Sequence, residues 1–225
     1  MLRALSLFLA AAAVARAQTD DIPQPLLGTI DKGVYISPTG SFKIEIPVLP
    51  ELGGAVRDTK NVVTFRDGFG LQISIGAFVH DATLRWQLST RGTKDYLIYF
   101  FSSYVLPDFR QFCPATSMES AGYSPDLMDG SLFTFILLPG GSVFADQLPF
   151  APAGAPPPVA KRGNMLFVKN GITFVISTEL SERVTEGSRY TKTTQEENET
   201  LRKRLQNIAA NMTFTPPPAA PPKQP

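Results

Sequence analysis

His80, the single histidine, and Cys113, the single cysteine, are the residues from which a thiol and imidazole pair could be built. A thiolate activated by a neighbouring base is a recognised route to covalent catalysis. Here Cys113 lies between Phe112 and Pro114, downstream of its base, and no glycine-rich donor run for an oxyanion is nearby. The competing reading makes Cys113 a small buried hydrophobe and His80 the end of a strand. One histidine and one cysteine also remove most metal centres, whose ligand sets draw on several such residues. Neither metal nor cofactor is expected. Gly140-Gly141-Ser142-Val143-Phe144 comes nearest to a serine nucleophile elbow, but it lacks the closing glycine and falls in a loop. Phosphate-binding and dinucleotide fingerprints are absent from the sequence. With no catalytic set, the sequence reads as a non-enzymatic protein.

Three other patterns have plain structural readings. Asp126 and Asp129 precede Gly130 without the spacing of a calcium loop, so a turn accounts for them. Arg202-Lys203-Arg204 falls within a helical pattern, where three consecutive residues fan out over a solvated face. Asn198-Glu199-Thr200 and Asn211-Met212-Thr213 fit the glycosylation pattern, which matters only on a eukaryotic secretory route.

The charge balance narrows the partners. Lys and Arg number 21 against 20 Asp and Glu, and removing Arg3 and Arg16 with a leader turns the formal charge from +1 to −1. Such a chain has no long-range field to draw in nucleic acid or anionic lipid, so neither is expected as a partner. The leader is read from a basic start at Arg3, an apolar run over 4–14 and the small-x-small motif Ala15-Arg16-Ala17. Residues 1–17 therefore read as a signal peptide, with the mature chain starting at Gln18. The apolar run is shorter than the roughly 20 residues of a membrane span. Export to a bacterial periplasm or the medium follows. A lone cysteine permits no internal disulfide there, so apolar burial must supply the stability; a 43% hydrophobic fraction with 16 Phe is enough for one core.

The elements that would position these residues are legible in order. Residues 18–32 read as an extended lead containing Pro23 and Pro25. A hairpin follows, with Val34, Tyr35 and Ile36 before the Pro38-Thr39-Gly40 turn and Phe42, Ile44 and Ile46 after it. A second hairpin turns at Asp67-Gly68, with Leu71, Ile73, Ile75 and Ala77 on one face. Residues 81–88, which include Trp86, are ambiguous. From Thr93 the period becomes helical through Leu97, Phe100, Phe101, Tyr104 and Val105, ending at Pro107. Strands over 115–122 and 131–138 come next, the latter apolar on both faces. Asn170-Gly171 tolerates the positive φ of a type I′ turn and joins strands carrying Met165, Phe167, Ile172, Phe174 and Ile176. Thr194 and Glu197 fit a capping box for a last helix with the stripe Leu201, Leu205, Ile208 and Met212.

Tight turns imply antiparallel pairing, and two separated helices can cover opposite faces. The expected architecture is an α/β sandwich of the α+β kind, an antiparallel sheet of about six to eight strands between helices, over residues 33–214. Residues 139–160 form a Pro/Gly/Ala-rich insertion that carries Val143, Phe144, Leu148 and Phe150. Large apolar side chains in such a loop must be covered by the domain or by something else, which makes these four the candidate contacts for a protein partner or an apolar ligand. Residues 215–225 form a Pro-rich tail without core-forming side chains.

The strand Ser41-Phe42-Lys43-Ile44-Glu45-Ile46-Pro47, the aromatic middle helix, the late hairpin and the closing helix before Asn211-Met212-Thr213-Phe214 resemble the PsbP-like superfamily. That group includes the extrinsic PsbP protein of photosystem II, a nuclear Ran-binding import factor and exported bacterial proteins. The resemblance implies an antiparallel sheet between helices and a binding or assembly role. It carries over no manganese or calcium function, because no photosystem-specific residues match. The insertion departs from the group's compact loop. From these readings, the function expected is an exported binding or assembly module, with a carrier of an apolar small molecule or lipid as the alternative.

Overall fold

The computed structural model describes residues 25–145 and 157–216. The leader at 1–17, the first part of the lead at 18–24, Leu148, Phe150 and the tail beyond residue 216 lie outside the described residues. The centre of the fold is the hairpin of β9 (Val159–Lys169) and β10 (Ile172–Glu179). Asn170 and Gly171 have φ of 52° and 72°, as a type I′ turn requires. Around that hairpin the large sheet is ordered β4 (Ala55–Asp58), β5 (Val62–Arg66), β6 (Gln72–Val79), β10, β9, β8 (Ser131–Pro139) and β7 (Ser117–Ser124), with every pairing antiparallel.

Both faces of the inner strands are buried, and alternate side chains serve two separate cores. Leu132, Ile136, Leu166 and Val175 meet Leu97, Phe100, Phe101 and Val105 on one side. Phe133, Phe167, Phe174 and Ile176 meet Leu201, Leu205 and Ala209 on the other. At about 1.5–3 kcal/mol for each large side chain removed from water, this double burial stabilises a chain whose single cysteine allows no internal disulfide. The helices thus cover opposite faces, as the period change implied.

The helical details differ from expectation in three places. The first helix, α1 (Ala82–Phe100), already starts within the ambiguous stretch: the Asp81 carboxylate caps it by accepting from Leu84 N at 2.8 Å. A break at Gly92, with φ 74° and ψ 166°, separates the amphipathic half read from the sequence from the half containing Trp86. Pro107 does not end the helical run. A π turn over Phe101–Val105 absorbs the missing donor, and α2 (Leu106–Phe112) continues with Pro107 in its first turn. After the short α3 (Glu182–Thr185) comes the last helix, α4 (Thr194–Ala210), where the capping box is formed by Thr193 and Glu196, one residue earlier than expected. Ile208 is half-buried, Ala209 takes the third core position, and Met212 belongs to the strand β11 (Met212–Phe214).

The hairpin expected around Pro38-Thr39-Gly40 forms, but it belongs to a second, four-stranded sheet instead of the large one. This small sheet is ordered β1 (Thr29–Asp31), β2 (Val34–Ile36), β3 (Phe42–Glu45) and β11. Residues 29–31, assigned to the lead, are therefore structured, and the chain end returns to pair Met212 with Ile44 and Phe214 with Phe42. Asp58 ties this sheet to the large one by accepting from Leu27 N, Gly28 N and the Tyr35 hydroxyl.

Candidate functional site

His80 and Cys113 are not brought together. The His80 backbone N–H meets Gly171 O, at the turn end of the central hairpin, whereas Cys113 Sγ donates to Pro139 O, whose strand position faces Val159. The span of β9 puts about 30 Å between those ends. His80 is buried with Tyr96 and Thr173; its Nε2 lies 2.7 Å from Thr173 Oγ1 and 3.2 Å from the Tyr96 hydroxyl. Burial first, then the Arg85 charge, lowers the imidazole below its ordinary value, and burial pushes the Tyr96 phenol up to about 12. Cys113 is buried, as a small hydrophobe would be.

Val143 and Phe144, the two described members of the expected contact set, are buried in the body of the domain. The Arg66 guanidinium donates to Val143 O and lies 5.7 Å from the Phe144 ring centre. Asp129, Met128 and Gly130 all have positive φ, and Asp129 pairs with Lys169 at 2.9 Å, so this is the turn expected. Of the basic trio only Lys203 is exposed. Arg202 lies 4.2 Å over the Phe133 ring and Arg204 pairs with Glu182, which corrects the reading of a fully solvated face. Among the described residues no three metal-ligating side chains gather, and no described helix is long and apolar enough to cross a membrane.

Sequence reasoning missed a band of buried polar side chains where β9 begins and β10 ends. Strand register generates it. Ser177 is opposite Asn164 on one side and Ser74 on the other; Asn164 then faces Thr134, and Ser74 faces Thr64. This row crosses five strands on the face covered by α1. Two residues closer to the strand ends, the same face carries Arg66, Gln72, Glu179 and Arg162. Apart from half-buried Arg66, all of these are buried.

Most of the band is satisfied internally. Glu179 Oε2 accepts from Arg162 Nη2 and Nε at 3.2 and 3.3 Å and from Val143 N at 3.2 Å, while its Oε1 accepts from the Ser142 hydroxyl. The Arg162 guanidinium is 5.6 Å from the Phe109 ring centre, so its planar charge is covered as well as paired. Gln72 Nε2 donates to Ser74 Oγ at 2.8 Å and Asn164 Nδ2 to Thr134 Oγ1 at 3.3 Å. Within the band, Gln72 Oε1, Asn164 Oδ1 and Ser177 Oγ have no hydrogen-bond partner among the described residues.

The opposite face carries a second ionic group. Lys161, fully buried, pairs with Glu119 of β7 and with Glu197 of α4, whose other oxygen accepts from Arg183 at 2.5 Å. Burial pushes the Glu197 carboxyl up, but Lys161, Tyr190 and Arg183 outweigh it and hold the group below the usual carboxylate range. Each of these charges is already engaged within the protein.

No family model matches the chain, and no curated protein does. Solved structures do show likeness. The yeast Saccharomyces cerevisiae Ran-binding protein Mog1p shares 8% identity at a TM-score of 0.46, over 84% of this chain and 97% of that one. PsbP (CyanoP) of the cyanobacterium Synechocystis shares 14% identity at 0.44, over 86% and 99%. A Bacteroides thetaiotaomicron structure shares 13% at 0.36, and this chain, matched over 83% of its residues, spans only 49% of that protein's length. At 8–14% identity these are likenesses of fold alone.

Proposed function

We propose that this chain is an exported, non-enzymatic binding or assembly module acting in a bacterial periplasm or outside the cell, with a protein as its partner. The observation that carries the binding role is an apolar corner formed by Leu49, Leu52 and Phe69, which are 58%, 44% and 74% exposed. Gly68 N–H donates to Leu52 O, which sets the tip of the β5–β6 hairpin beside the turn of Leu49 and Leu52. Apolar side chains exposed as a group mark a contact surface, whereas scattered ones do not.

The insertion is rooted beside this corner, because Arg66, which holds Val143 and Phe144, immediately precedes Asp67-Gly68-Phe69. Leu148 and Phe150 are the further contacts proposed within the insertion. A near-neutral charge balance suits a protein partner better than nucleic acid. The carrier reading is less well supported: the sheet under the insertion root presents the Arg162–Glu179 ion pair, which is a poor lining for an apolar ligand.

A pull-down from the native envelope fraction with wild type and Phe69→Ser tests the reading. A discrete protein partner held by wild type and lost by the variant supports it; identical captures, or lipid alone, overturn it. Intact-mass measurement of the exported protein should show a chain starting at Gln18, and uncleaved protein confined to the cytosol would remove the export step.

A further inference from the structure

We propose that the outer edge of β7 docks an extended, acidic segment of a partner protein, with Arg202 receiving its carboxylate. β7 is a terminal strand of the large sheet and is eight residues long. Among the described residues no backbone group pairs with its outer side. The covering helices sit inboard of it, since α4 packs mainly on β9 and β10, and α1 on β8 and β9. Natural sheets blunt such an edge by shortness, charge or proline. The opposite edge follows that rule: β4 has four residues, two of them Arg57 and Asp58, and the Asp58 carboxylate accepts from Leu27 N and Gly28 N. β7 does not. A bulge between Met118 and Ser120 interrupts only its start, and the remainder, Ser120-Ala121-Gly122-Tyr123-Ser124, carries neither charge nor proline. Glu119, the one charge of the strand, is turned to Lys161.

A guanidinium overlooks this strip. Gly122 is opposite Phe133 in the β7–β8 pairing, and the Arg202 guanidinium lies 4.2 Å over the Phe133 ring. The missing side chain at Gly122 lets it approach the strand, where a Cβ would sit 3.4 Å from Arg202 Nη2. Arg202 Nη1 makes one long hydrogen bond, 3.4 Å to Ser124 Oγ. Arg202 is half-buried, and among the described residues no carboxylate pairs with it. Its planar fork of N–H donors, held on an aromatic face, suits a carboxylate. A strand added about 4.8 Å beyond β7 would set the side chain opposite Gly122 on the Arg202 face. The residues on either side of it would point to the other face, beside Tyr123, which packs on the apolar cluster there. The occupant is therefore an extended segment with Asp or Glu between β-branched or aromatic residues, adding a strand to the sheet.

The rest of this chain does not supply it. Residues 146–156 and 217–225 have proline at least every fourth residue, which interrupts strand pairing. Residues 18–24 lead into Leu27, which is tied to Asp58 at the other edge of the seven-stranded sheet, about 29 Å away at 4.8 Å per strand. Crossing that distance would use the whole segment. Two copies paired edge to edge about Gly122 would bring their Arg202 charges together. The strip is also separate from the apolar corner at the β5–β6 tip, so either contact can fail without the other.

The test pans random nonapeptides displayed on phage against the full mature chain, then measures the selected sequences as synthetic peptides by fluorescence anisotropy. The expected peptides bind saturably and share one Asp or Glu flanked on both sides by β-branched or aromatic residues. Changing that acid to its amide should weaken binding to the unchanged protein tenfold or more. N-methylating alternate peptide amides should abolish binding in one phase and spare it in the other, as strand pairing requires. Arg202→Gln should weaken the acidic peptide tenfold or more yet leave its amide counterpart unaffected, a pattern that loss of folding does not give. Phe69→Ser should bind the peptide normally. The proposal is overturned if no peptide is selected, if the selected peptides lack the acid or bind Arg202→Gln equally, or if they are lost on Phe69→Ser. A wild-type dimer in sedimentation that Ala121→Lys dissociates would overturn it as well, by making a second copy the occupant.

Discussion

Lys161 and Arg162 are consecutive in β9 and lie on opposite faces of the large sheet, both fully buried, each held by a carboxylate from a different element. Lys161 reaches Glu197 of α4 and Glu119 of β7, and Arg162 reaches Glu179 of β10. One dipeptide thus pins a helix to one side of the sheet and anchors the root of the insertion on the other, through Ser142 and Val143. The pleat makes this possible, since neighbouring residues of a strand point in opposite directions.

Removing Glu197 leaves buried Lys161 with Glu119 alone and takes the carboxylate from Arg183, so buried charge is under-compensated. We predict that Glu197→Ala destabilises the protein by about 3–5 kcal/mol, and that Lys161→Met combined with Glu197→Leu recovers most of that loss. Urea denaturation of the single and double variants measures both. A single variant as stable as wild type would show that the pair is hydrated in solution. The Glu197 carboxyl is held low, so its stabilisation is present above the ordinary carboxylate range and is lost as pH falls through the folded value.

His80 makes a second pH prediction. Its folded pKa lies below the unfolded value of 6.5, so in the window between the two the unfolded chain binds the extra proton. Stability is then fully present above about pH 6.5 and falls as pH drops below it. His80→Gln keeps a polar group beside Thr173 and Tyr96 while removing the titration. Its stability, by thermal melts from pH 8 to pH 5, should lack that component of the decline; an unchanged profile would assign the decline to carboxylates.

The polar band was legible from register, although not from composition. Counting outward from Asn170-Gly171 sets Asn164 against Ser177 and Arg162 against Glu179. From the sequence the strand is marked by Met165 and Phe167, while Lys161 and Arg162, two charges just after the Pro-rich insertion, offer no apolar alternation to extend it. The shifted capping box has a related cause. Thr193 and Thr194, like Glu196 and Glu197, are adjacent twins, so both boxes fit the local pattern. Burial of Glu197 against Lys161 decides between them, and that contact bridges residues far apart in sequence. The small sheet was hidden for the same reason: its β2–β3 hairpin is legible, but β11 is three residues long, too brief to show a period, and pairs with β3 from the other end of the domain.

The hairpin on which that counting depends can itself be tested. At Gly171, φ is +72° and an added Cβ would meet nothing within 4 Å, so Gly171→Ala introduces backbone strain alone. We predict a loss of about 1–2 kcal/mol, the penalty for placing an L-residue in the left-handed region. Chemical denaturation measures it directly, and a neutral result would mean that the turn can change type without disturbing the pairing.

Two phenylalanines near Arg66 separate stability from recognition. Phe144 is fully buried, under the guanidinium that also binds Val143 O, whereas Phe69 projects from the hairpin tip three residues after Arg66. Phe144→Ala empties a packed site and should cost about 3–5 kcal/mol, while Phe69→Ser changes an exposed side chain and should stay within about 0.5 kcal/mol of wild type. Partner capture should show the reverse order when both variants are compared at a temperature where Phe144→Ala remains folded. Deleting residues 143–158 would therefore cost stability at its first two positions, because Val143 and Phe144 belong to the body of the domain. If Phe144→Ala melts like wild type, the insertion root is a surface feature after all, and the buried anchor on Glu179 and Arg66 would have to be abandoned.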